Sequence, residues 1–124
     1  MIDFENGSIF KLSQTEPNKY EKELRPLLIN DEQIISSYYT IRDYVVFTNK
    51  RIIAVNVQGI TGKKKDFTSV PYSKIQTFSI ETAGHFDLDS ELEIYISSVG
   101  KVKFEFKGEC NITKIGQIIS SYIL

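Results

Sequence analysis

The single histidine of the chain, His85, lies close in sequence to three carboxylates. Acid–base catalysis and metal binding both use an imidazole beside carboxylates, because the imidazole pKa lies near neutrality. Asp87, Asp89 and Glu91 alternate like the start of a calcium loop, but an EF-hand loop continues for about twelve positions with an obligatory glycine and a final glutamate. Here the series runs directly into a predicted strand, which favours a solvated hairpin tip. We therefore expect no catalytic residue, no metal site and no cofactor, and predict that the protein is not an enzyme.

Two further motifs also lack the context that chemistry would need. Cys110 precedes Asn111, a good helix N-cap, but has no basic partner beside it, so we interpret it as a partly buried structural thiol. The stretch Gly59–Lys64 combines glycine and lysine without the glycine spacing or the hydroxyl of a P-loop. One cysteine forms no internal disulfide, and the amino terminus has no signal-like basic and apolar regions. The expected location is therefore the cytoplasm.

Charge is distributed unevenly along a chain whose formal net charge is -1. This balance argues against a nucleic-acid partner, because such binders need excess Lys and Arg to displace counterions from phosphates. Residues 40–70 nevertheless carry a net charge of +4, and their cations form a candidate interaction patch: Arg42, Lys50, Arg51, Lys63, Lys64 and Lys65. Residues 81–93 carry a net charge of −5, and they form a candidate complementary acidic patch: Glu81, Asp87, Asp89, Glu91 and Glu93.

Two interpretations of these patches stay open at this point. If they lie on different faces, copies of the chain would pair head to tail, and such contacts produce a ring when they close. Alternatively, both are solvated loops whose charges are screened beyond about 8–10 Å. Lys63–Lys65 also offer a small cationic surface to anionic lipid.

The helices and strands that position these residues can be predicted from the spacing of apolar residues along the chain. A chain of 124 residues with 41% hydrophobic residues is typical of one folded domain. A short amphipathic helix is predicted from Pro17, with a kink or restart near Arg25 because Pro26 follows it. Its apolar stripe is Tyr20, Leu24, Leu27 and Leu28. Residues 1–14 show no clean period, and their structure is left open.

The middle of the chain predicts seven strands. The first five span residues 32–40, 43–48, 51–57, about 65–70 and 73–82, with a β-bulge in the fifth. The sixth and seventh form a hairpin whose inward residues are Leu92, Ile94, Ile96, Val102, Phe104 and Phe106. A final helix with Asn111 as its N-cap is predicted to bury Ile112, Ile115, Ile119, Tyr122 and Ile123.

The order and spacing of several short motifs resemble the bacterial pleckstrin-homology domains, long described only as domains of unknown function. These motifs are Phe47-Thr-Asn-Lys-Arg-Ile52, Thr61-Gly-Lys-Lys64, Pro71-Tyr72 and the stretch from Phe78 to Glu91. The resemblance implies a mainly β (α+β) fold, a seven-stranded bent antiparallel sheet or partly open barrel capped by a C-terminal α-helix, with a short N-terminal helix. It also implies an N-terminal extension over residues 1–16 and a bacterial PH-like domain over residues 17–124.

The resemblance also directs the expectation of function. Eukaryotic pleckstrin-homology domains hold inositol phosphates with Lys and Arg on their first loop, but Tyr39–Asp43 offers only Arg42, so that role does not transfer. Bacterial members resemble protein-interaction modules, some of them similar to ring-forming oligomers. We therefore expect a non-catalytic scaffold that self-associates into a homo-oligomer and binds another protein or peptide. The alternative is a peripheral membrane binder that uses Lys63–Lys65 on anionic headgroups.

Overall fold

The computed structural model describes residue 1 and residues 9–124. Within them the chain forms eight strands: β1 Ile9–Thr15, β2 Ile34–Tyr39, β3 Tyr44–Thr48, β4 Arg51–Gln58, β5 Lys64–Pro71, β6 Thr77–Glu81, β7 Ser90–Ile96 and β8 Gly100–Phe106. The helices are a 3₁₀ turn Pro17–Tyr20 that continues into α1 Glu21–Leu24, a 3₁₀ turn Tyr72–Lys74, and α2 Ile112–Ile123. The predicted sheet capped by a C-terminal helix is confirmed, with eight strands in place of seven.

The additional strand, β1, joins the two halves of the sheet. The strand order is β5-β4-β3-β2-β1-β8-β7-β6, in which β1 pairs antiparallel with β2 and parallel with β8. Sequence periodicity missed β1 because its alternation is interrupted: Lys11 has a φ of 57°, and the register with β8 shifts between Ile9 and Leu12. Leu12 nevertheless lies in the core with no exposed surface. The strand that completes the sheet thus lies mostly in residues 1–14, for which the sequence predicted no structure.

The main core lies between the sheet and α2. The predicted inward residues of β7 and β8 are all buried, and the helix spans the predicted residues, with Asn111 accepting a hydrogen bond from the Lys114 amide at 3.2 Å. Ile115 and Ile119 have no exposed surface. Tyr122 was predicted to be buried but is 45% exposed, with its ring stacked on Tyr72 at the edge of the core. In the described part of the chain, no helix has the length and apolar character needed to cross a bilayer.

A second core covers the outer face of β3 and β4. Leu24 is fully buried there, and the Tyr20 ring stacks on Tyr44 with centroids 3.7 Å apart. Since the other face of these strands packs into the main core, both strands are buried on both sides, as their β-branched and aromatic composition favours. Leu27 was predicted on this apolar stripe but is 43% exposed, because α1 ends at Leu24, before Pro26.

The predicted fifth strand, residues 73–82, is replaced by two elements. A 3₁₀ turn at Tyr72–Lys74 leads through Ile75 into β6, which begins at Thr77. The predicted β-bulge is wrong, since β6 pairs with β7 in an unbroken register from Thr77 opposite Tyr95 to Glu81 opposite Glu91. The irregular apolar spacing arose because Ile75 is buried by the turn rather than by the strand.

We expect Ile119→Asp to lower the free energy of unfolding by several kcal/mol, because it places a carboxylate at a fully buried position of α2. Gln117→Asp puts the same side chain on the exposed face of the same helix and serves as the matched control. Thermal unfolding followed by circular dichroism measures both. Near-native stability in the Ile119 variant would contradict the assignment of α2 as the cap of the core.

Candidate interaction surface

Arg51, a member of the candidate basic patch, is neutralised inside the molecule. Its guanidinium donates from Nε to Oε2 of Glu32 at 2.8 Å and from Nη2 to Oε1 at 2.9 Å, while the Glu32 side chain has no exposed surface. The Thr48 hydroxyl donates to Oε2 at 2.7 Å, the Ile29 amide donates to Oε1 at 3.1 Å, and Nη2 also donates to the Leu27 carbonyl at 2.7 Å. Arg51 therefore has a structural role, with its charge paired to a buried carboxylate of the same chain.

This bidentate pair joins the segment after α1 to the β3–β4 hairpin. Glu32 was predicted to begin the first strand, but it lies in the preceding loop, and β2 starts at Ile34. Burial alone would raise the pKa of Glu32, but the hydrogen bonds from Arg51 and Thr48 outweigh burial and hold that pKa below its ordinary value. The carboxylate is thus kept ionised in the interior.

Three of the other predicted cations converge at the opposite end of the β3–β4 hairpin. Arg42 donates from Nη2 to the Gly59 carbonyl, which ties the β2–β3 turn to the β4–β5 loop. Lys63 lies at the end of that same loop and Lys64 begins the next strand. Neither lysine forms an ion pair with a carboxylate within the described residues. Lys50 lies at the β3–β4 turn, next to Arg51. The predicted patch is therefore divided between the two ends of the hairpin.

A cleft of about 700 Å³ opens between the N-terminal helical segment and the β2–β3 turn. Lys65, the sixth predicted cation, lines it and binds Glu23, which also accepts from the Tyr44 hydroxyl. Burial of Glu23 opposes ionisation, but these two hydrogen bonds prevail and lower its pKa. Lys19 and Lys22 also line the cleft, and neither pairs with a carboxylate among the residues that the structure describes.

The predicted acidic residues lie on β6, on β7 and in the loop between these strands. Most of them already have cations of the same chain, as the ammonium-to-carboxylate distances show: Asp89 with Lys11 at 3.1 Å, Glu91 with Lys103 at 3.5 Å, and Glu93 with Lys101 at 3.7 Å. Glu81 and Asp87 form no ion pair in the described ranges, although Asp87 lies near enough to Lys11 to help raise the pKa of that lysine. Glu81 also lies directly opposite Glu91 across the strand pair, a destabilising arrangement of like charges.

The strand order separates the two sets of charges. Lys64 begins β5, one edge strand of the sheet, and Lys63 precedes it in the β4–β5 loop, whereas Glu81 ends β6, the other edge strand. The positions between them in the strand order are occupied by β4, β3, β2, β1, β8 and β7. Of the charges that have no ion-pair partner among the described residues, Lys64 therefore lies on one edge strand and Glu81 on the other.

In the described part of the chain, the His85 side chain makes no hydrogen bond or ion pair with the carboxylates that follow it. His85 is exposed, and its ring contacts that of Phe86 at a centroid distance of 5.7 Å. Over the described ranges, no three His, Cys, Asp or Glu side chains are placed to hold a metal ion. Cys110 is buried, donates to the Leu12 carbonyl at 3.5 Å, and has a pKa raised by burial, so it is a protonated thiol at neutral pH.

Several exposed apolar residues were missed by the sequence reasoning. Ile41 on the β2–β3 turn is 98% exposed, Ile60 on the β4–β5 loop is fully exposed, and Phe86 on the β6–β7 loop is 98% exposed. Their exposure could have been predicted from their position, since each is a large apolar residue inside a polar segment that joins two strands. The position of Lys19 and Lys22 in the cleft was also missed, because no local sequence signal shows that the distant β2–β3 turn packs near this helical segment.

Known proteins are similar to this chain in both sequence and fold. The family model described as "Bacterial PH domain" matches residues 3–123, a range that includes β1. YjqA, an uncharacterized protein of Bacillus subtilis, is 41% identical over 97% of this chain and 98% of its own length. A DUF1696 family protein with a pleckstrin-homology domain from Shewanella loihica is 38% identical, with a TM-score of 0.81 over 95% of this chain and all of that one. The pleckstrin-homology domain from Shewanella amazonensis is also 38% identical, with a TM-score of 0.68 over 96% of this chain and 93% of that one.

We expect Glu32→Gln to lower the free energy of unfolding at pH 7 by about 2–3 kcal/mol, because it removes one partner of a buried pair. The contribution of Glu32 is fully present above the ordinary glutamate pKa of about 4.3 and is lost as pH falls through the lower pKa of the folded state. The wild type and the variant should therefore converge in acid.

Denaturant unfolding from pH 7 down to pH 3 measures this difference, with Glu21→Gln as the control. Glu21 pairs with Arg25 at 3.6 Å on the surface of the helical segment, so its replacement should change stability by less than about 0.5 kcal/mol. An unchanged stability of Glu32→Gln at pH 7, or a difference from the wild type that persists in acid, would contradict the role assigned to the buried carboxylate.

Proposed function

The chain belongs to the bacterial PH domain family, and from that premise we propose that it is a non-catalytic interaction module that self-associates into a homo-oligomer and serves as a protein-binding scaffold. The observation that carries this proposal is that charges of opposite sign without an internal ion pair lie at the two edge strands of one sheet, Lys64 on β5 and Glu81 on β6. A surface of one sign on one side and of the other sign on another side favours head-to-tail contacts between copies. Such contacts close into a ring when the rotation between neighbours allows it.

Internal ion pairs reduce the charges that a neighbouring copy would meet. Lys65 is engaged by Glu23, whereas Lys63 and Lys64 meet no carboxylate among the described residues. On the acidic side the corresponding residues are Glu81 and Asp87. Because an exposed ion pair contributes only about 0–1 kcal/mol, these charges would direct the register and rate of association while apolar contacts supply most of the affinity.

We expect Lys63→Glu with Lys64→Glu to lower the mass observed by light scattering at moderate ionic strength, because the change removes attraction between copies. Glu81→Lys with Asp87→Lys should have the same effect, and the combination should restore the mass if the two sets meet. Lys50→Glu with Lys74→Glu carries the same charge change at the β3–β4 turn and in the neighbouring 3₁₀ turn after β5, and is the control. These replacements leave the internal Lys65 and Asp89 pairs in place.

A wild type that is a monomer at every concentration would overturn self-association. A multimer whose mass responds to neither reversal would retain self-association and contradict the electrostatic contribution. Loss of mass in the Lys50 and Lys74 control alone would place the interface at the β3–β4 turn instead.

A second candidate function is favoured by the two exposed isoleucines. Ile41 and Ile60 protrude from neighbouring loops that the Arg42 hydrogen bond to the Gly59 carbonyl holds together. Lys63 and Lys64 follow directly on the second loop. An apolar tip bordered by cations suits a peripheral contact with an anionic bilayer, where each lysine near the surface contributes about 1 kcal/mol.

If this membrane contact operates, Ile41→Ser with Ile60→Ser should reduce co-sedimentation with vesicles of phosphatidylserine and phosphatidylcholine. Phe86→Ser removes an equally exposed apolar residue from a different loop and should leave sedimentation unchanged. A wild type that does not sediment with these vesicles, or an isoleucine variant that sediments as well as the wild type, would remove the membrane alternative.

A further inference from the structure

The cleft of about 700 Å³ beside the N-terminal helical segment carries a surplus of positive charge. Lys65 and Glu23 neutralise each other there, and the carboxylate of Asp43 accepts hydrogen bonds from the Val57 amide at 2.9 Å and the Asn56 side chain at 3.2 Å. Three further cations line the cleft and form no ion pair among the described residues: Lys19, Lys22 and Arg42. Three cations thus face one carboxylate, which leaves two positive charges uncompensated.

These cations reach the cleft from two different elements. Lys19 and Lys22 lie three residues apart on the helical segment, a spacing that places two side chains on one face of a helix. Arg42 lies on the β2–β3 turn, where its Nη2 donates to the Gly59 carbonyl, and its guanidinium carries further N–H donors. Positive charge therefore converges on one concave surface, an arrangement that concentrates anions from solution.

Aromatic rings form another part of the cleft wall. The Tyr20 ring is stacked on Tyr44 with an interplanar angle of 4°, and Tyr20 is partly exposed and lines the cleft. Tyr39 also lines it and is 44% exposed. Burial raises the pKa of Tyr20 and that of Tyr44, so both phenols are uncharged at neutral pH and do not repel an anion. A planar ring laid against Tyr20 would extend an existing stack.

A ligand that matches this lining carries a planar ring, a strong negative charge and hydrogen-bond donors. A phosphate monoester has a charge of about −1.5 to −2 at neutral pH and three acceptor oxygens, so it can bind several cations at once. The ribose hydroxyls and base amino groups of a nucleotide can donate to the carboxylates of the wall, whereas a phenyl ring has no donor. Small-ligand pockets measure about 300–1,000 Å³, a range that includes this cleft.

From this match we propose that the cleft binds a nucleoside monophosphate, with the base stacked at Tyr20 and the phosphate held by the three unpaired cations. The site lies within one copy of the chain, so the inference goes beyond the proposed function and does not depend on self-association. It also differs from phosphate binding by the β2–β3 turn alone. Two of its cations and the ring that stacks on the base belong to the N-terminal helical segment.

Amide NMR spectra of the isotope-labelled protein test the site during titration with adenosine, guanosine, cytidine and uridine monophosphates. We expect saturable shifts with at least one of them, centred on the amides of residues 19–23 and 39–44. Two fragments of that nucleotide are then titrated: its nucleoside, which lacks the phosphate, and ribose phosphate, which lacks the base. Each should bind at least about tenfold more weakly, because each loses one of the two contacts.

Matched variants assign the two contacts to residues. Lys19→Gln with Lys22→Gln should weaken binding of the nucleotide at least about tenfold, because it removes two cations from the phosphate. Lys74→Gln with Lys114→Gln makes the same charge change at two exposed positions that do not line the cleft, and it should leave binding unchanged. Tyr20→Leu should weaken binding, whereas Tyr20→Phe keeps the ring and should bind as the wild type does. Circular dichroism verifies that each variant is folded.

The absence of saturable shifts with all of these nucleotides, or shifts centred outside the cleft, would overturn the inference. Ribose phosphate or inositol trisphosphate that binds as tightly as the nucleotide would also overturn it, because phosphate alone would then be recognised. Equal binding of phenyl phosphate would replace the nucleotide with a phosphotyrosine-like ligand and overturn it as well. The titration with ribose phosphate tests the ring even if Tyr20→Leu does not fold. Light scattering tests self-association separately, so the two proposals fail independently.

Discussion

The ionised carboxylate of Glu32, buried without any exposed surface, is the constraint around which this end of the molecule is arranged. A buried charge without partners would cost several kcal/mol, so the surrounding chain has to supply donors. Arg51 supplies two, Thr48 supplies a third, and the backbone amide of Ile29 completes the set. These donors come from the β3–β4 hairpin and from the loop after α1, so one carboxylate fixes the helical segment against the sheet. The packing of Leu24 in the second core depends on that placement.

Neutralisation within the chain also decides which charges remain for a partner. The basic and acidic segments are real features of the sequence, but about half of their members are engaged by neighbours in the fold. Glu23 forms an ion pair with Lys65, and Lys11 forms one with Asp89. Two lysines of β8 form ion pairs with the glutamates of β7. A count of charges along the sequence therefore overstates the field that another molecule would meet. The charges without an ion pair among the described residues lie at strand edges and in loops, as Lys64, Glu81 and Lys63 do.

Sequence reasoning succeeded where the signal is local. The β7–β8 hairpin and α2 were predicted closely, because alternation of period two and a stripe of period 3.6 are written in consecutive residues. It failed for β1, where Lys11 breaks the alternation, and for Glu32, whose partner Arg51 lies on another element. The cleft that Lys19 and Lys22 border was equally hidden, since it exists only once a helix and a distant turn face each other. The arrangement of the strands in one bent sheet was predicted from the family resemblance, because no single segment specifies it.

The position of β1 has a consequence for how the chain folds. Hairpins such as β3–β4 and β7–β8 join residues that are close in sequence, so their loops close at little entropic cost. The parallel pairing of β1 with β8 instead sets Ile9 beside Phe104, so nearly the whole chain must be present before this ladder can form. During synthesis β1 can pair with β2 early, but its ladder with β8 must wait until β8 has been made. Until then the two halves of the sheet are connected only through the chain between β5 and β6.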